Sequence, residues 1–193
     1  MKNITTVILA AGSSSRFKHN KSKIFQDLSG LSIIEHIYLI AKKVSKNKVI
    51  IVCNKNNIKE LKSKFSNAKF VIQTTQKGTA HAILTAKKYL ANRNILILFG
   101  DVPLINYTSI KKLISNFNKN QSRGSMIAFK TDNPFGYGRV ATKGNYVTSI
   151  VEELHASKIQ KKIKLCNSGI MICDSKLLFN YINKISNTNI KKE

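Results

Sequence analysis

The stretch Val7-Ile-Leu-Ala-Ala-Gly-Ser-Ser-Ser-Arg-Phe-Lys-His-Asn-Lys-Ser-Lys23 decides the fold of this chain. It opens with an apolar run that is too short for a helix, and this run predicts a buried strand. A glycine, three serines and several cations follow at once. In open α/β sheets, ligands bind at the carboxyl ends of strands, where small residues let backbone N–H groups approach anionic oxygens. The stretch therefore predicts a strand that opens into a phosphate-binding loop; the alternative is a solvated turn after an edge strand.

Three residues of this loop carry the predicted binding. Gly12 lets the backbone approach a phosphate oxygen closely, because it has no Cβ. Arg16 and Lys23 supply positive charge for the same anion. We therefore expect these residues to face a nucleotide phosphate, if the loop is more than a turn.

Length and composition favour one ordered domain. The chain has 193 residues, of which 42% are hydrophobic and only two are proline. Its net charge is +24, from 33 Lys and Arg against 9 Asp and Glu, which suggests nucleic acid, acidic membranes or polyanionic substrates as partners. The lysines are scattered beside Asn and Ile, with no basic tract that contains aromatic residues. A general drift in composition is therefore favoured, and nucleic-acid binding is a minority interpretation.

The cysteines and the N-terminus indicate a cytoplasmic protein. Cys53, Cys166 and Cys173 form no Cys-x-x-Cys pair and lie in apolar surroundings, so we expect buried, reduced thiols. The first apolar run is too short for a secretory signal, and no longer one follows. We expect no membrane association, and the sequence leaves the oligomeric state open.

The first part of the chain alternates helices with strands. The predicted elements after the first loop are a helix over 32–45, strands over 49–53, 69–73 and 94–99, and helices near 58–65 and over 78–90. A helix over 108–118 and a strand over 125–130 continue the alternation. Such alternation predicts a mostly parallel sheet covered on both faces, which is a three-layer, Rossmann-like α/β fold.

A strand-rich stretch follows Gly136. The residues 139–142, 146–152 and 163–173 are expected to be extended, and a final helix is expected over 175–185. We therefore predict a single domain over 1–193, with about 1–130 as the nucleotide-binding part. About 131–193 would form a lobe that adds to the same sheet and covers a sugar-sized pocket.

A carboxylate is predicted at the same edge of the sheet as the first loop. Asp101 follows Gly100 and the apolar run Ile95 to Phe99. It can hold Mg²⁺ on triphosphate oxygens, because Mg²⁺ prefers one or two carboxylates together with phosphate and water. The alternative is an Asp that closes a turn between strand and loop.

The segment Gln73 to Ala82 combines amide side chains with the start of a helix. Amides can pair with the edge of a nucleobase, and Gly78 lets the backbone approach it. The alternative for Thr79 is a helix N-cap. For His81, a polar contact inside the first turn is favoured over metal binding, because no second ligand stands at metal spacing.

The opening stretch resembles the signature of the sugar-phosphate nucleotidyltransferases, Leu-Ala-Ala-Gly-x-Gly-Thr-Arg followed by Pro-Lys. Here Leu9 to Arg16 carries Ser14 and Ser15 in place of the second Gly and the Thr, and Ser22-Lys23 replaces Pro-Lys. The signature alone indicates a nucleotidyltransferase and leaves its substrate open.

Further blocks occur in the order and spacing typical of one narrower family. They are Gln73 to Ala82, Phe99-Gly100-Asp101, Asn133 to Arg139, Val147 to Glu153, and Asn167 to Ile170. Over nearly its whole length the chain resembles the N-acetylglucosamine-1-phosphate uridyltransferases, the first half of bifunctional bacterial enzymes that make UDP-N-acetylglucosamine. The resemblance implies the nucleotidyltransferase version of the α/β fold, with a strand-rich sugar-binding lobe.

The resemblance also implies which residues bind substrate. The uridine nucleotide would contact Leu9, Ala10, Ala11, Gly12 and Lys23. The uracil side would contact Gln73, Gly78 and Thr79, while Phe99, Gly100 and Asp101 would line the site. The sugar would contact Gly138, Glu152 and Asn167. Phe99 stands where the family usually has Tyr, so a hydroxyl contact is expected to be missing.

The implied reaction joins UTP and N-acetylglucosamine 1-phosphate into UDP-N-acetylglucosamine and pyrophosphate, for peptidoglycan synthesis. Arg16, Lys23 and Mg²⁺ held by Asp101 would be the catalytic parts. The family's second Mg²⁺-binding Asn would lie beyond the segment that resembles Asn187 to Glu193, and no hexapeptide-repeat acetyltransferase half is expected. The chain would then be a truncated piece, or a shortened relative whose metal site differs or whose activity is lost.

Two alternatives remain at this stage. A cytidylyl- or guanylyltransferase would keep the fold and change the substrate, but would lack the Gly-Tyr-Gly-Arg and Asn-Ser-Gly blocks. A cationic nucleic-acid-binding module would bind DNA or RNA in a salt-sensitive way and release no pyrophosphate.

Overall fold

The structure is a computed structural model that describes residues 4–12, 22–91 and 93–184. Arg16, the expected end of the last helix and the segment Asn187 to Glu193 lie outside the described residues. The chain divides into a larger unit, which takes residues up to 125 and from 171 onwards, and a smaller unit over 126–170. The sequence had suggested a division near 130; residues 171–184 group with the larger unit.

The secondary structure follows the predicted alternation. The strands are β1 (Ile4–Leu9), β2 (Asp27–Leu28), β3 (Leu31–Ser32), β4 (Val49–Cys53), β5 (Lys69–Ile72), β6 (Asn94–Phe99), β7 (Gly124–Lys130), β8 (Arg139–Lys143), β9 (Tyr146–Val151) and β10 (Leu165–Asp174). The helices are α1 (Ile33–Ser45), α2 (Ile58–Lys64), α3 (Gly78–Thr85), α4 (Tyr107–Lys119) and α5 (Ser175–Ile182).

The sheet of the larger unit has the strand order β5-β4-β1-β6-β10. The first four strands are parallel, and only β10 runs antiparallel, beside β6. In register, Leu9 at the end of β1 lies opposite Val52 of β4 and Phe99 of β6. The predicted mostly parallel α/β sheet is therefore confirmed, and the carboxyl ends of its central strands meet at one edge.

Helices cover both faces of this sheet. On one face, Val7, Ile50 and Ile97 pack in a cluster with residues of α3 and α5. The neighbouring residues in these strands, such as Ile8 and Ile51, are also fully buried and point to the opposite face, because side chains alternate along a strand. There α1 contacts β1 and β4. Each buried aliphatic side chain contributes about 1.5–3 kcal/mol, so the central strands are held rigidly.

The start of α1 has a specific cause in the sequence. The Glu35 carboxylate accepts a hydrogen bond from the Ser32 backbone N–H at 2.8 Å, which is one half of a capping box. Hydrogen bonding from the Ser32 hydroxyl lowers the pKa of Glu35. The helix therefore begins at Ile33, directly after the short hairpin of β2 and β3.

The smaller unit is strand-rich, as expected. Strands β8 and β9 form an antiparallel pair whose turn contains Gly144 at φ +59°, and Arg139 of β8 pairs with Cys166 of β10. The pairing brings residues distant in the sequence, near the starts of β8 and β10 and the end of β9, to one end of this unit.

Two local predictions differ from the structure. The helix expected over 78–90 ends at Thr85, whose hydroxyl donates to the Ala82 carbonyl at 2.7 Å, and a separate 3₁₀ turn follows at Lys87–Tyr89. Competition of a Thr hydroxyl for helix carbonyls weakens a helix. The β2–β3 hairpin was not predicted; its two-residue turn places Ser29 and Gly30 at positive φ.

Two other expectations were tested by the described residues. The three cysteines are free and buried, which confirms the prediction of reduced thiols; burial raises the pKa of Cys53 to about 11 and that of Cys173 to about 12. Within the described ranges, every helix is too short or too polar to cross a bilayer.

Candidate active site

The ends of β1 and β6 are joined tightly at the carboxyl edge of the sheet. The Gly100 N–H donates to the Leu9 carbonyl at 2.9 Å. A Cβ at Gly100 would lie 3.2 Å from that same oxygen, so glycine permits the close approach. Asp101, the next residue, is thereby fixed beside the point where the first loop begins.

Lys23 and Asp101 meet at this edge, as the sequence predicted for the ends of the first and fourth long strands. The Lys23 Nζ lies 3.3 Å from Asp101 Oδ2, and the two side chains are 43% and 44% exposed. An ion pair this open to water contributes at most about 1 kcal/mol to stability. Lys23 and Asp101 can therefore release each other at little cost in free energy. Lys23 is then able to bind phosphate and Asp101 a metal ion.

The start of the first loop is held by amide side chains that the sequence did not reveal. Asn57 Nδ2 donates to the Ala10 carbonyl at 2.7 Å, while Asn54 Nδ2 and Gln76 Nε2 donate to the Ala11 carbonyl at 3.0 and 2.8 Å. Asn57 is only 3% exposed. The signal available was the placement of Asn54 and Asn57 directly after β4, at the same edge of the sheet.

Two backbone N–H groups at the start of this loop, those of Ala11 and Gly12, can contact a ligand. No acceptor among the described residues is hydrogen-bonded to the N–H of Ala11 or Gly12. The carbonyls of Ala10 and Ala11 are already bonded, so these contacts orient the start of the loop, while the N–H groups of Ala11 and Gly12 meet no acceptor within 4–12, 22–91 and 93–184. Such an arrangement suits an anionic oxygen.

A second polar cluster lies at the start of α3. Gln73 is 5% exposed, and its Nε2 lies 3.2 Å from the Gly78 carbonyl and 2.9 Å from His81 Nδ1. Gly78 has φ +80°, which favours glycine. The N-cap of α3 is Lys77, so the alternative role of Thr79 as N-cap is wrong, whereas the predicted polar contact of His81 is confirmed.

In the smaller unit, the structure brings together the three residues expected to contact a sugar. The Asn167 N–H donates to the Gly138 carbonyl at 2.8 Å, and a Cβ on Gly138 would lie 2.8 Å from Glu152 Oε1. Asn167 Oδ1 accepts from the Gly169 N–H at 2.8 Å. Among the described residues, no donor binds the Glu152 carboxylate and no acceptor binds Asn167 Nδ2, so both can contact hydroxyl groups.

A buried ion pair supports this cluster, and the sequence did not predict it. Arg139 is 2% exposed; its guanidinium donates to Glu153 Oε2 at 2.7 Å and to the Tyr137 carbonyl. Glu153 also accepts from the Gly136 N–H at 3.2 Å, and the hydrogen bond from Arg139 lowers its pKa. Gly138 thus lies in a segment whose backbone is tied down on both sides.

Within residues 4–12, 22–91 and 93–184, the carboxylate that contacts Lys23 is that of Asp101, and these ranges contain no group of three or more potential metal ligands. This donor set fits Mg²⁺, which takes one or two protein carboxylates and fills its other positions with phosphate oxygens and water.

Comparisons with known proteins show the family of this chain. Residues 6–164 match the family model described as MobA-like NTP transferase domain. The bifunctional protein GlmU of Buchnera aphidicola subsp. Schizaphis graminum is 45% identical over 195 residues, covering 100% of this chain. GlmU of Francisella tularensis subsp. novicida is 38% identical over 193 residues, covering 98% of this chain. The chain spans 42% of the length of each of these relatives.

A solved structure supports the fold. A Bacillus anthracis protein described as a glucose-1-phosphate thymidylyltransferase, crystallised with sucrose, has a TM-score of 0.83 and covers 95% of this chain and 76% of its own. Only 18% of the aligned residues are identical, so this likeness concerns the fold alone. The α/β nucleotidyltransferase fold expected from the sequence is thereby confirmed.

Proposed function

The chain belongs to the family of MobA-like NTP transferase domains, and from this membership we propose that it is a Mg²⁺-dependent uridyltransferase. Its substrates would be UTP and N-acetylglucosamine 1-phosphate, and its products UDP-N-acetylglucosamine and pyrophosphate. The relatives named GlmU, 38% and 45% identical across the chain, favour this substrate pair over CTP or GTP.

The observation that carries the proposal is the pairing of Lys23 with Asp101 at the ends of β1 and β6. A lysine, a carboxylate able to hold Mg²⁺, and the N–H groups of Ala11 and Gly12, which have no acceptor among the described residues, stand at one edge of the sheet. Ligands of open α/β sheets bind at this edge. These groups together match a triphosphate and its metal.

In the proposed reaction, a phosphate oxygen of the sugar phosphate attacks the α-phosphorus of UTP. A new P–O bond forms, the bond to the β-phosphate oxygen breaks, and pyrophosphate leaves with the electron pair. No protein nucleophile is needed, because positioning and charge neutralisation supply most of the catalysis of such transfers. Mg²⁺, when bound at Asp101, would neutralise charge on the triphosphate.

Residues of this chain would bind and orient the two substrates. Lys23 would neutralise charge on the phosphate oxygens, and the Ala11 and Gly12 N–H groups would orient them. Glu152 would accept hydrogen bonds from sugar hydroxyls, and Asn167 Nδ2 would donate one. Arg16 was assigned a catalytic role from the sequence and remains a prediction, since it lies outside the described residues.

A pyrophosphate-release assay tests the proposal. We expect release with UTP, N-acetylglucosamine 1-phosphate and Mg²⁺, and none after chelation with EDTA. CTP, GTP and glucose 1-phosphate serve as matched substrate controls. Faster release with CTP or GTP would favour a different nucleotidyltransferase, and no release with any pair would contradict enzymatic activity of this chain.

Gly138 gives a separate prediction. It belongs to the cluster of Gly138, Glu152 and Asn167 that is expected to contact the sugar, called the sugar cluster below. In Gly138→Ala, the new Cβ would displace the Glu152 carboxylate, which lies 2.8 Å away at the end of a flexible, exposed side chain. We expect the KM for the sugar phosphate to rise about tenfold, because a hydrogen bond to a charged group contributes about 1.5 kcal/mol or more. The KM for UTP and the melting temperature should change little. Equal effects on both KM values would contradict a role specific to the sugar.

A further inference from the structure

The contacts of Gln73 determine which way its amide points. Its terminal nitrogen is placed 3.2 Å from the Gly78 carbonyl, which can only accept hydrogen bonds. The reverse orientation would set two oxygens against each other, so the NH₂ group must face Gly78. The same NH₂ group lies 2.9 Å from His81 Nδ1, which therefore accepts.

This orientation turns the Gln73 amide oxygen away from the Gly78 carbonyl. Among the described residues, no donor is hydrogen-bonded to Gln73 Oε1. The fully enclosed side-chain atoms without a partner, in the same ranges, are Thr5 Oγ1 and Arg139 Nε. Gln73 as a whole is only 5% exposed, but its oxygen is not one of these enclosed atoms. A ligand that contacts this oxygen meets an acceptor.

An acceptor in this position distinguishes the two pyrimidines. Uracil carries a hydrogen on N3 and can donate it to a carbonyl oxygen. Cytosine has a lone pair at N3, which would face the Gln73 oxygen and repel it. A reversed amide would have the opposite preference. A site that hydrogen-bonds one substrate and leaves a polar group unpaired with the other discriminates strongly.

We propose that His81 is a specificity-determining positioning residue: by accepting from the Gln73 NH₂ group, it holds the amide oxygen toward the base and selects uracil over cytosine. This inference rests on the proposed uridyltransferase function. His81 would not touch the nucleotide itself. The Gly78 carbonyl alone gives a longer hydrogen bond, at 3.2 Å against 2.9 Å, so His81 is the closer of the two groups that fix the amide.

Two substitutions of His81 test the proposal. His81→Leu removes the acceptor, whereas His81→Asn places a carbonyl oxygen close to the position of Nδ1. We expect the ratio of kcat/KM for UTP to that for CTP to fall about tenfold in His81→Leu, as for one hydrogen bond. It should recover in His81→Asn. His36→Leu is the control, since it removes a histidine whose side-chain hydrogen bond, among the described residues, is between its Nε2 and the Leu28 carbonyl.

A spectroscopic readout separates this inference from the proposed function. The Gln73 side-chain NH₂ signals in a ¹⁵N–¹H NMR spectrum of the whole chain should shift in His81→Leu and return in His81→Asn. Unchanged signals, or an unchanged UTP/CTP ratio in a folded His81→Leu protein, would overturn the role of His81 while leaving uridylyl transfer intact. A wild-type protein without preference for UTP would instead overturn the proposed function, and this inference with it.

Discussion

Replacing Asp101 with asparagine is expected to abolish pyrophosphate release, with kcat/KM reduced about a thousandfold or more. Asparagine keeps the shape of the side chain but loses the charge that holds Mg²⁺, and metal catalysis of phosphoryl transfer supplies several kcal/mol. The loss should come without unfolding. The pair between Asp101 and Lys23 is 44% and 43% exposed, and removing it should cost less than about 1 kcal/mol of stability.

A matched control exists in the smaller unit. Asp132 also pairs with a lysine, Lys164, at 2.8 Å, and its side chain is 96% exposed. Asp132→Asn should therefore retain wild-type turnover and the same melting temperature. Activity would be measured by pyrophosphate release over a range of Mg²⁺ concentrations. Near-normal, Mg²⁺-dependent turnover in Asp101→Asn would defeat the metal assignment.

Replacing Lys23 with alanine is expected to lower kcat about a hundredfold, with a smaller effect on the KM for UTP. The reason is that charge on the phosphate oxygens must be neutralised most strongly in the transition state, where one preorganised donor is worth a hundredfold or more. Lys164→Ala, which breaks the other exposed pair, serves as the control. Steady-state kinetics that match the wild type in Lys23→Ala would mean that this lysine does not face the triphosphate.

The central sheet could be predicted from the sequence because its strands are continuous apolar runs. Ile4–Leu9, Val49–Cys53 and Asn94–Phe99 are buried on both faces, as strands of a parallel sheet must be when helices cover it. Parallel strands share a direction, so their carboxyl ends lie at one edge. The meeting of Lys23 with Asp101, 78 positions apart, follows from that rule.

The amide contacts to the first loop could not be predicted in the same way. Asn54, Asn57 and Gln76 donate to carbonyls more than 40 positions away. Asparagine is common in this chain, so the presence of Asn54 and Asn57 carries little information. Only the fold decides which of them lie at the sheet edge with a backbone carbonyl in reach. The orientation of Gln73 is hidden from the sequence for the same reason.

The sugar cluster could be predicted only in part. Gly138, Glu152 and Asn167 were identified through the resemblance to the uridyltransferases, not from any periodicity. The structure supplies the physical cause of their meeting, since β8 pairs with both β9 and β10. The Arg139–Glu153 pair could not be predicted from the sequence, because a charged residue in a strand-rich stretch normally faces solvent. In the structure, Arg139 is only 2% exposed.

A crystal structure of the protein with UTP and Mn²⁺ in place of Mg²⁺ would test the central claim most directly. The claim is that Lys23 and Asp101 bind one metal-bound triphosphate at the ends of β1 and β6. We predict an anomalous Mn²⁺ peak bonded to the Asp101 carboxylate and to phosphate oxygens, with Lys23 Nζ within hydrogen-bond distance of the same triphosphate. A triphosphate bound elsewhere, or Mn²⁺ held by other carboxylates, would contradict it.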